Sequence, residues 1–279
     1  MLHITTDIRN GSAKLGFEFQ IGVGFVTNFL DALGIGSFAT TTAAFKVSGT
    51  VADEQIPGTL NVGGTVPALV EAAIYMTVIS VDRLTLWSLI ASSVVGAWLG
   101  AGVVSRWPRR RVQRGMAIAL LLTGLFTVLR LVHLFPAGSD ALGLSGAPLA
   151  VAVAANGVFG ALMTLGVGLY APLMGTVALL GMNPAAAFPI MMGSCAFLLP
   201  VASARFIRAR AFDRRAAFGL TIGGVPGILL AAWLVKSLPL DAVRWLVVVV
   251  VLYTAVTMWR SSLAEPAVTR AAVLADESR

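Results

Sequence analysis

Charge is what this sequence has least of. Only 12% of its 279 residues are Asp, Glu, Lys or Arg, against about 25% in an ordinary soluble domain. With 57% apolar residues and a mean hydropathy of +0.87, a water-soluble core could not cover so much apolar surface. Cysteine is nearly missing too: Cys195 is alone and sits in an apolar stretch, which excludes a disulfide framework and a CxxC redox pair. The two histidines, His3 and His133, are too far apart in sequence to suggest a metal-ligand pair, and no Ser/His pair lies within one apolar stretch. No phosphate-binding glycine loop is present. The chain therefore reads as neither an enzyme nor a cofactor-binding protein. No signal peptide is expected, because residues 1–17 lack a basic segment followed by an apolar core and a small-residue cleavage site.

What the sequence does have is length in its apolar runs. Residues 84–104, 112–134, 216–235 and 243–259 each approach the ~20 residues of a membrane-spanning helix. They are continuous runs rather than the alternating ~10-residue segments of a β-barrel. The expected fold class is an all-α polytopic membrane protein. The net charge is +7. Because the arginines fall between apolar runs, this charge reads as a topology signal rather than a nucleic-acid patch. Trp87, Trp98, Trp107, Trp233, Trp245 and Trp259 lie mostly toward span ends, as interfacial anchors do.

The chain is duplicated. A shift of 132 residues places Leu33-Gly34-Ile35-Gly36 on Leu165-Gly166-Val167-Gly168, Phe38-Ala39 on Tyr170-Ala171, Gly49 on Gly181 and Pro57 on Pro189. After one deletion, a shift of 131 places Asp82-Arg83 on Asp213-Arg214, Gly96 on Gly227, Pro108 on Pro239 and Val112 on Val243. Gly, Pro and charged residues are the rarer letters here, so their agreement weighs more than that of leucines. The organisation expected is an N-terminal cytoplasmic segment 1–15, membrane repeat 16–134, extracytoplasmic linker 135–147, membrane repeat 148–261 and a polar tail 262–279.

Arginine counts orient the repeats. Residues 105–114 and 205–215 carry five arginines each, and the central linker carries no Lys or Arg. Both basic loops are placed in the cytoplasm and the linker outside. The basic loop at Asp213-Arg214 then corresponds to a weakly charged outer loop at Asp82-Arg83, so the two halves are expected upside down relative to each other. That requires an odd number of spans per half: about 57–79, 84–104 and 113–134 in the first. Residues 15–47 must return to their own side as two short helices, about 16–32 and 36–47, broken at Gly34–Gly36; the second half breaks at Gly166–Gly168. A single long tilted helix is the alternative, and it would make the halves parallel. Inverted repeats with broken helices are a common build for secondary transporters, with the substrate held between the breaks.

These stretches resemble a known family. Asp31 through Thr42, followed by Ile56-Pro57-Gly58-Thr59-Leu60-Asn61-Val62-Gly63, is similar to one half of the TauE/SafE family of membrane anion exporters. Gly166-Val167-Gly168-Leu169-Tyr170-Ala171-Pro172, Gly181 and Asn183 through Ala187 are similar to the other. The resemblance covers 17–259 and implies movement of small anions such as sulfite, sulfoacetate, other sulfonates or organic acids, in a bacterial cytoplasmic (inner) membrane with both termini inside. The partners expected are a small anionic substrate and the lipid bilayer, with no nucleic acid; a homodimer is compatible with the reading. In one departure from the family pattern, Ser37 and Thr40 stand where many members have glycines and a proline. This marks a subfamily.

The expected anion site comprises Gly34, Gly36, Ser37, Thr40, Thr41 and Asn61 from the first half and Gly166, Gly168, Tyr170, Gly193 and Ser194 from the second. Hydroxyls and amides suit sulfonate or carboxylate oxygens, although Ser and Thr in membrane helices also bond their own backbone. Asp31 and Glu71 are the proton-coupling candidates, since acids are costly within a span. Asp31 alternatively caps the helix after the break or lies in a wet vestibule, and Glu71 alternatively snorkels to the outer face. Lys46 either attracts anions or anchors its helix at the headgroups, and Cys195 is expected to pack. The function expected is secondary anion transport by alternating access, coupled to protons or potential; a passive anion channel of the same fold is the alternative.

Overall fold

The computed structural model describes residues 16–33, 35–76, 80–132, 134, 139–166, 169–234 and 240–263, and all of its regular structure there is helical. The first half contains α1 (Phe17–Ala32), α2 (Ser37–Ser48), α3 (Ile56–Tyr75), α4 (Arg83–Val104) and α5 (Arg109–Leu131). The second contains α6 (Gly146–Met163), α7 (Tyr170–Leu179), a 3-10 turn (Pro184–Ala186), α8 (Ala187–Arg208), α9 (Arg214–Leu234) and α10 (Leu240–Leu263). The breaks expected at Gly34–Gly36 and Gly166–Gly168 fall between α1 and α2 and between α6 and α7. The span expected at 57–79 is α3, which ends at Tyr75; 77–79 lie outside the described residues. α5 begins at Arg109, four residues before the expected 113, because Pro108 supplies a helix start and the arginines occupy the first turns.

The repeated rare letters have structural reasons. Asp82 and Asp213 are both N-caps, accepting from Thr85 N and Ala216 N at 2.9 and 2.8 Å. An N-cap carboxylate supplies an acceptor for a helix N–H that has no partner in its own helix. Gly49 and Gly181 end α2 and α7 in left-handed conformations, φ 64° and 80°, where a Cβ would be strained. Gly96 and Gly227 sit where helices touch. A Cβ on Gly96 would overlap Gly157 O, and one on Gly227 would overlap Phe25 O. Small residues at such crossings let helices pack closely in lipid, where van der Waals contact is the main attraction.

Packing is the same when the halves are exchanged. α1 lies on α9 as α6 lies on α4; α3 contacts α9 as α8 contacts α4; α2 touches α10 as α7 touches α5; α3 meets α8, and α5 meets α10. Within α3–α8, Gly58 faces Phe206, Gly64 faces Leu199 and Tyr75 stacks on Phe188, so the two helices run in opposite directions. Within α4–α8, Ile90 reaches Gly193 and Arg205 reaches Gly102, so these run in the same direction. The ends of α4 and α8, with their arginines, therefore share one face of the molecule.

Among the described residues, four helices are long and apolar enough to cross a membrane: Arg83–Val104, Gly146–Met163, Ala187–Arg208 and Arg214–Trp233. The faces they turn outward are apolar. On α4, Leu84, Trp87, Val95, Trp98, Leu99 and Val103 are exposed, which suits a lipid solvent.

The loop joining α2 to α3 is tied down by Asp53. Its Oδ2 accepts from Lys46 Nζ (2.8 Å), Gln113 Nε2 (2.7 Å) and Arg109 Nη2 (3.3 Å). Lys46 is therefore committed to an ion pair with a carboxylate whose side chain is 6% exposed, rather than to headgroups. Burial alone would raise the Asp53 pKa. The bonds from Lys46 and Gln113 and the charges of Lys46 and Arg109 outweigh burial and hold it below the ordinary carboxylate value. A carboxyl with a lowered folded pKa stabilises the fold above its unfolded pKa, and that stabilisation disappears as pH falls through the folded value. Asp53→Ala is expected to lower stability by about 3 kcal/mol, in line with unpairing a buried ion. The difference from wild type should shrink below about pH 4; thermal unfolding in detergent across pH measures both.

Candidate functional site

The first break is built by Asp31. After α1 ends, Leu33 N and Ile35 N both return to Leu30 O (3.2 and 3.0 Å), and Gly36 at φ 91° reverses the chain. Asp31 then accepts from Ser37 N at 3.0 Å and from Ser37 Oγ at 2.6 Å. The carboxylate thus takes the capping place at the start of α2, and both of its oxygens are engaged. On the far side of the break, Tyr75 Oη donates to Ala32 O at 2.7 Å.

The hydroxyls after the break divide. Thr40 Oγ1 donates to backbone oxygens of its own turn, Gly36 O and Ser37 O. Thr41 Oγ1 donates to Thr27 Oγ1 (2.9 Å), which donates to Val23 O. Both serve to join α2 to itself and to α1. Thr42, which the expected site omits, is fully buried with its hydroxyl unpartnered among the described residues. It faces the second break: Thr42 Oγ1 lies 3.7 Å from the position a Cβ would take on Gly166. Gly166 has φ 105°. Gly34 and Gly168 lie outside the described residues, and so does the side chain of Tyr170.

A second group lies where α3, α4, α6 and α8 converge. Glu71 is 2% exposed and its Oε1 has no hydrogen-bond partner among the described residues. It does not snorkel. Asp31 lies within electrostatic reach of Glu71, and both reach Cys195. Cys195 packs its sulfur 3.8 Å from that of Met163. Ser194 is fully buried and bonded at 3.3 Å by Asn156 Nδ2, which also donates to Leu89 O at 2.7 Å. Asn156 Oδ1 has no partner among the described residues. Asn156 was discoverable in the sequence as the single amide side chain in the apolar run of α6. Gly193 is a packing position, since a Cβ would sit 2.7 Å from Ile90 Cδ1 and 3.2 Å from Met76 Sδ.

Asn61 stands apart. It lies ten residues before Glu71 on α3, roughly 15 Å along the axis. Its Nδ2 bonds Pro57 O at 2.8 Å and its Oδ1 has no partner. The expected eleven-residue site thus separates into the facing breaks, the Glu71–Ser194 group and Asn61. An open cavity of about 430 Å³ beside α1 and α2, lined by Phe19, Val23, Val26 and Leu30, with Thr27 and Thr40 at its wall, is apolar and unsuited to an anion.

A Cβ on Gly36 would meet nothing within 4 Å, so Gly36→Ala isolates the cost of its positive φ. It is expected to destabilise the protein by about 1–2 kcal/mol, read as a lower thermal midpoint, while Gly22→Ala, which also meets nothing at ordinary helical φ, leaves the midpoint unchanged or raised.

The family model for the sulfite exporter TauE/SafE matches residues 6–127 and 144–275, one segment for each half. No curated protein and no solved structure matches the chain. The two matched segments together span most of the sequence, and the chain belongs to the TauE/SafE sulfite exporter family.

Proposed function

We propose that this protein is a secondary transporter of small anions, sulfite or a related sulfonate or organic acid, working by alternating access in the bacterial inner membrane with both termini cytoplasmic. The observation that carries this reading is the exchange-invariant packing of two halves whose equivalent helices α3 and α8 run in opposite directions. A protein built this way has two related ends, and opening one while closing the other needs only the exchange of two similar packings. On this reading the halves are inverted repeats, α1–α2 and α6–α7 are hairpins entering from opposite faces, and the cargo passes between the breaks near Thr42 and Gly166. The buried Thr42 hydroxyl there, unpartnered among the described residues, suits a polar or hydrated cargo.

Coupling falls to the two acids, with different parts for each. Both Asp31 oxygens are occupied by Ser37, which supports a role in shaping the break. Glu71 keeps a buried oxygen without a donor. A charge in that position is costly, so binding and releasing a proton there is tied to what enters the space beside it. The titratable groups facing Glu71 are Asp31 from the first break and Cys195 from α8, with Tyr75 one turn on along α3.

In proteoliposomes, sulfite or sulfoacetate inside should accelerate uptake of the labelled anion. Large voltage-driven currents without such acceleration would indicate the channel alternative. Glu71→Gln should retain this counterflow while losing accumulation driven by a pH gradient. Asp31→Asn should impair both activities and lower the thermal midpoint. Glu71→Gln with wild-type pH-driven accumulation would remove Glu71 from the coupling step.

A further inference from the structure

Arg205 has no anionic partner among the described residues. It lies in the last turn of α8, and its Cζ sits 4.0 Å over the ring of Trp98 on α4. Its guanidinium also lies 3.6 Å from the position a Cβ would take on Gly102; the missing side chain there leaves the space the guanidinium fills. Arg205 Nε is buried and has no acceptor among the described residues. Among the described residues the ion pairs are those of Asp53 and Glu54 with Lys46 and Arg109, so no carboxylate neutralises Arg205. Stacking on indole offsets part of the loss of water, but it supplies no acceptor for the N–H.

The direction from which an acceptor can arrive is set by Trp98, which is 48% exposed and flanked on the outer face of α4 by exposed Val95, Leu99 and Val103. That face is apolar and turned to lipid. The ends of α4 and α8 also present exposed Arg106 and Arg208, which add positive charge at that end of the pair.

The pair has no counterpart in the other half. Trp98 falls on Leu229 at a shift of 131, and Arg205 falls on Ala73 or Ile74 at a shift of 132 or 131, all apolar.

We infer that Arg205 and Trp98 form a binding site for the phosphate of an anionic phospholipid in the leaflet at the arginine-rich face. The guanidinium supplies the planar donors that phosphate oxygens accept, the indole holds the guanidinium in place, and Arg106 and Arg208 favour a headgroup of net negative charge over a zwitterion. The site is separate from the anion path proposed above, and its ligand arrives from the bilayer.

The test uses the purified full chain in detergent. Phosphatidylglycerol, phosphatidylcholine or inorganic phosphate is added, and the thermal midpoint and retained lipid by native mass spectrometry are read. Phosphatidylglycerol should raise the midpoint and remain bound, with phosphatidylcholine and inorganic phosphate giving little. Arg205→Gln should weaken phosphatidylglycerol retention about tenfold, the equivalent of one charge-assisted contact, and Arg110→Gln, an exposed arginine outside the pair, should leave it unchanged. Trp98→Leu keeps the charge and an apolar lipid-facing side chain, and should also weaken retention; it serves if Arg205→Gln does not fold. An equal rise with inorganic phosphate would reassign the site to soluble anions. Retention unchanged in Trp98→Leu and in any folded Arg205→Gln protein would overturn it.

Discussion

A helix interrupted inside a membrane leaves backbone N–H and C=O groups that lipid cannot satisfy. At the first break, Asp31 resolves this by accepting from both the backbone and the hydroxyl of Ser37. Much else depends on that contact. It sets where α2 begins, and so which of three consecutive threonines faces α1 and which faces the second break. Thr41 then reaches Thr27, Thr42 reaches the edge of Gly166, and Lys46 at the other end of α2 reaches Asp53. The two ends of α2 are thus held by carboxylates, one on each side of its twelve residues.

The breaks have a firm scaffold around them. The contacts of α4 with α6 and α9 with α1 are made by small residues on backbone, Gly96 against Gly157 and Gly223 against Ile21. Such surfaces hold distances tightly and leave little room for sliding. The polar exceptions inside, Glu71, Asn156 and Thr42, are each buried with an atom unpartnered. An interior this apolar tolerates unsatisfied groups poorly; Gln20 on α1 and Asn61 near the start of α3 also keep an unpartnered oxygen among the described residues.

The two halves share an arrangement without sharing chemistry. Asp53 and its partners occupy one end of the molecule, whereas the equivalent positions of Lys46 and Asp53 in the second half are Ala178 and Ala185. The opposite end is tied by neutral bonds instead: Ser139 Oγ donates to Gly181 O at 2.6 Å, and Asn183 N to Ala141 O at 2.8 Å.

The sequence by itself determined the helical class, the duplication and the places where the helices break. Each is written in local chemistry: apolar runs of spanning length, glycines at turns, Asp before a helix start. The family was legible for the same reason, because its motifs are glycines and prolines with backbone roles. Tertiary structure decided which polar groups are free. Whether Thr40, Thr41 or Thr42 offers its hydroxyl depends on what each meets across the helix interface, and Thr42 is the one left over. Glu71 could be read as snorkelling or buried until α8 was placed against α3. Lys46 could be an anchor until Asp53, seven residues on, was folded back onto it. Local sequence specifies where a backbone turns, but the partner of a side chain is chosen by residues distant in sequence that only packing brings near.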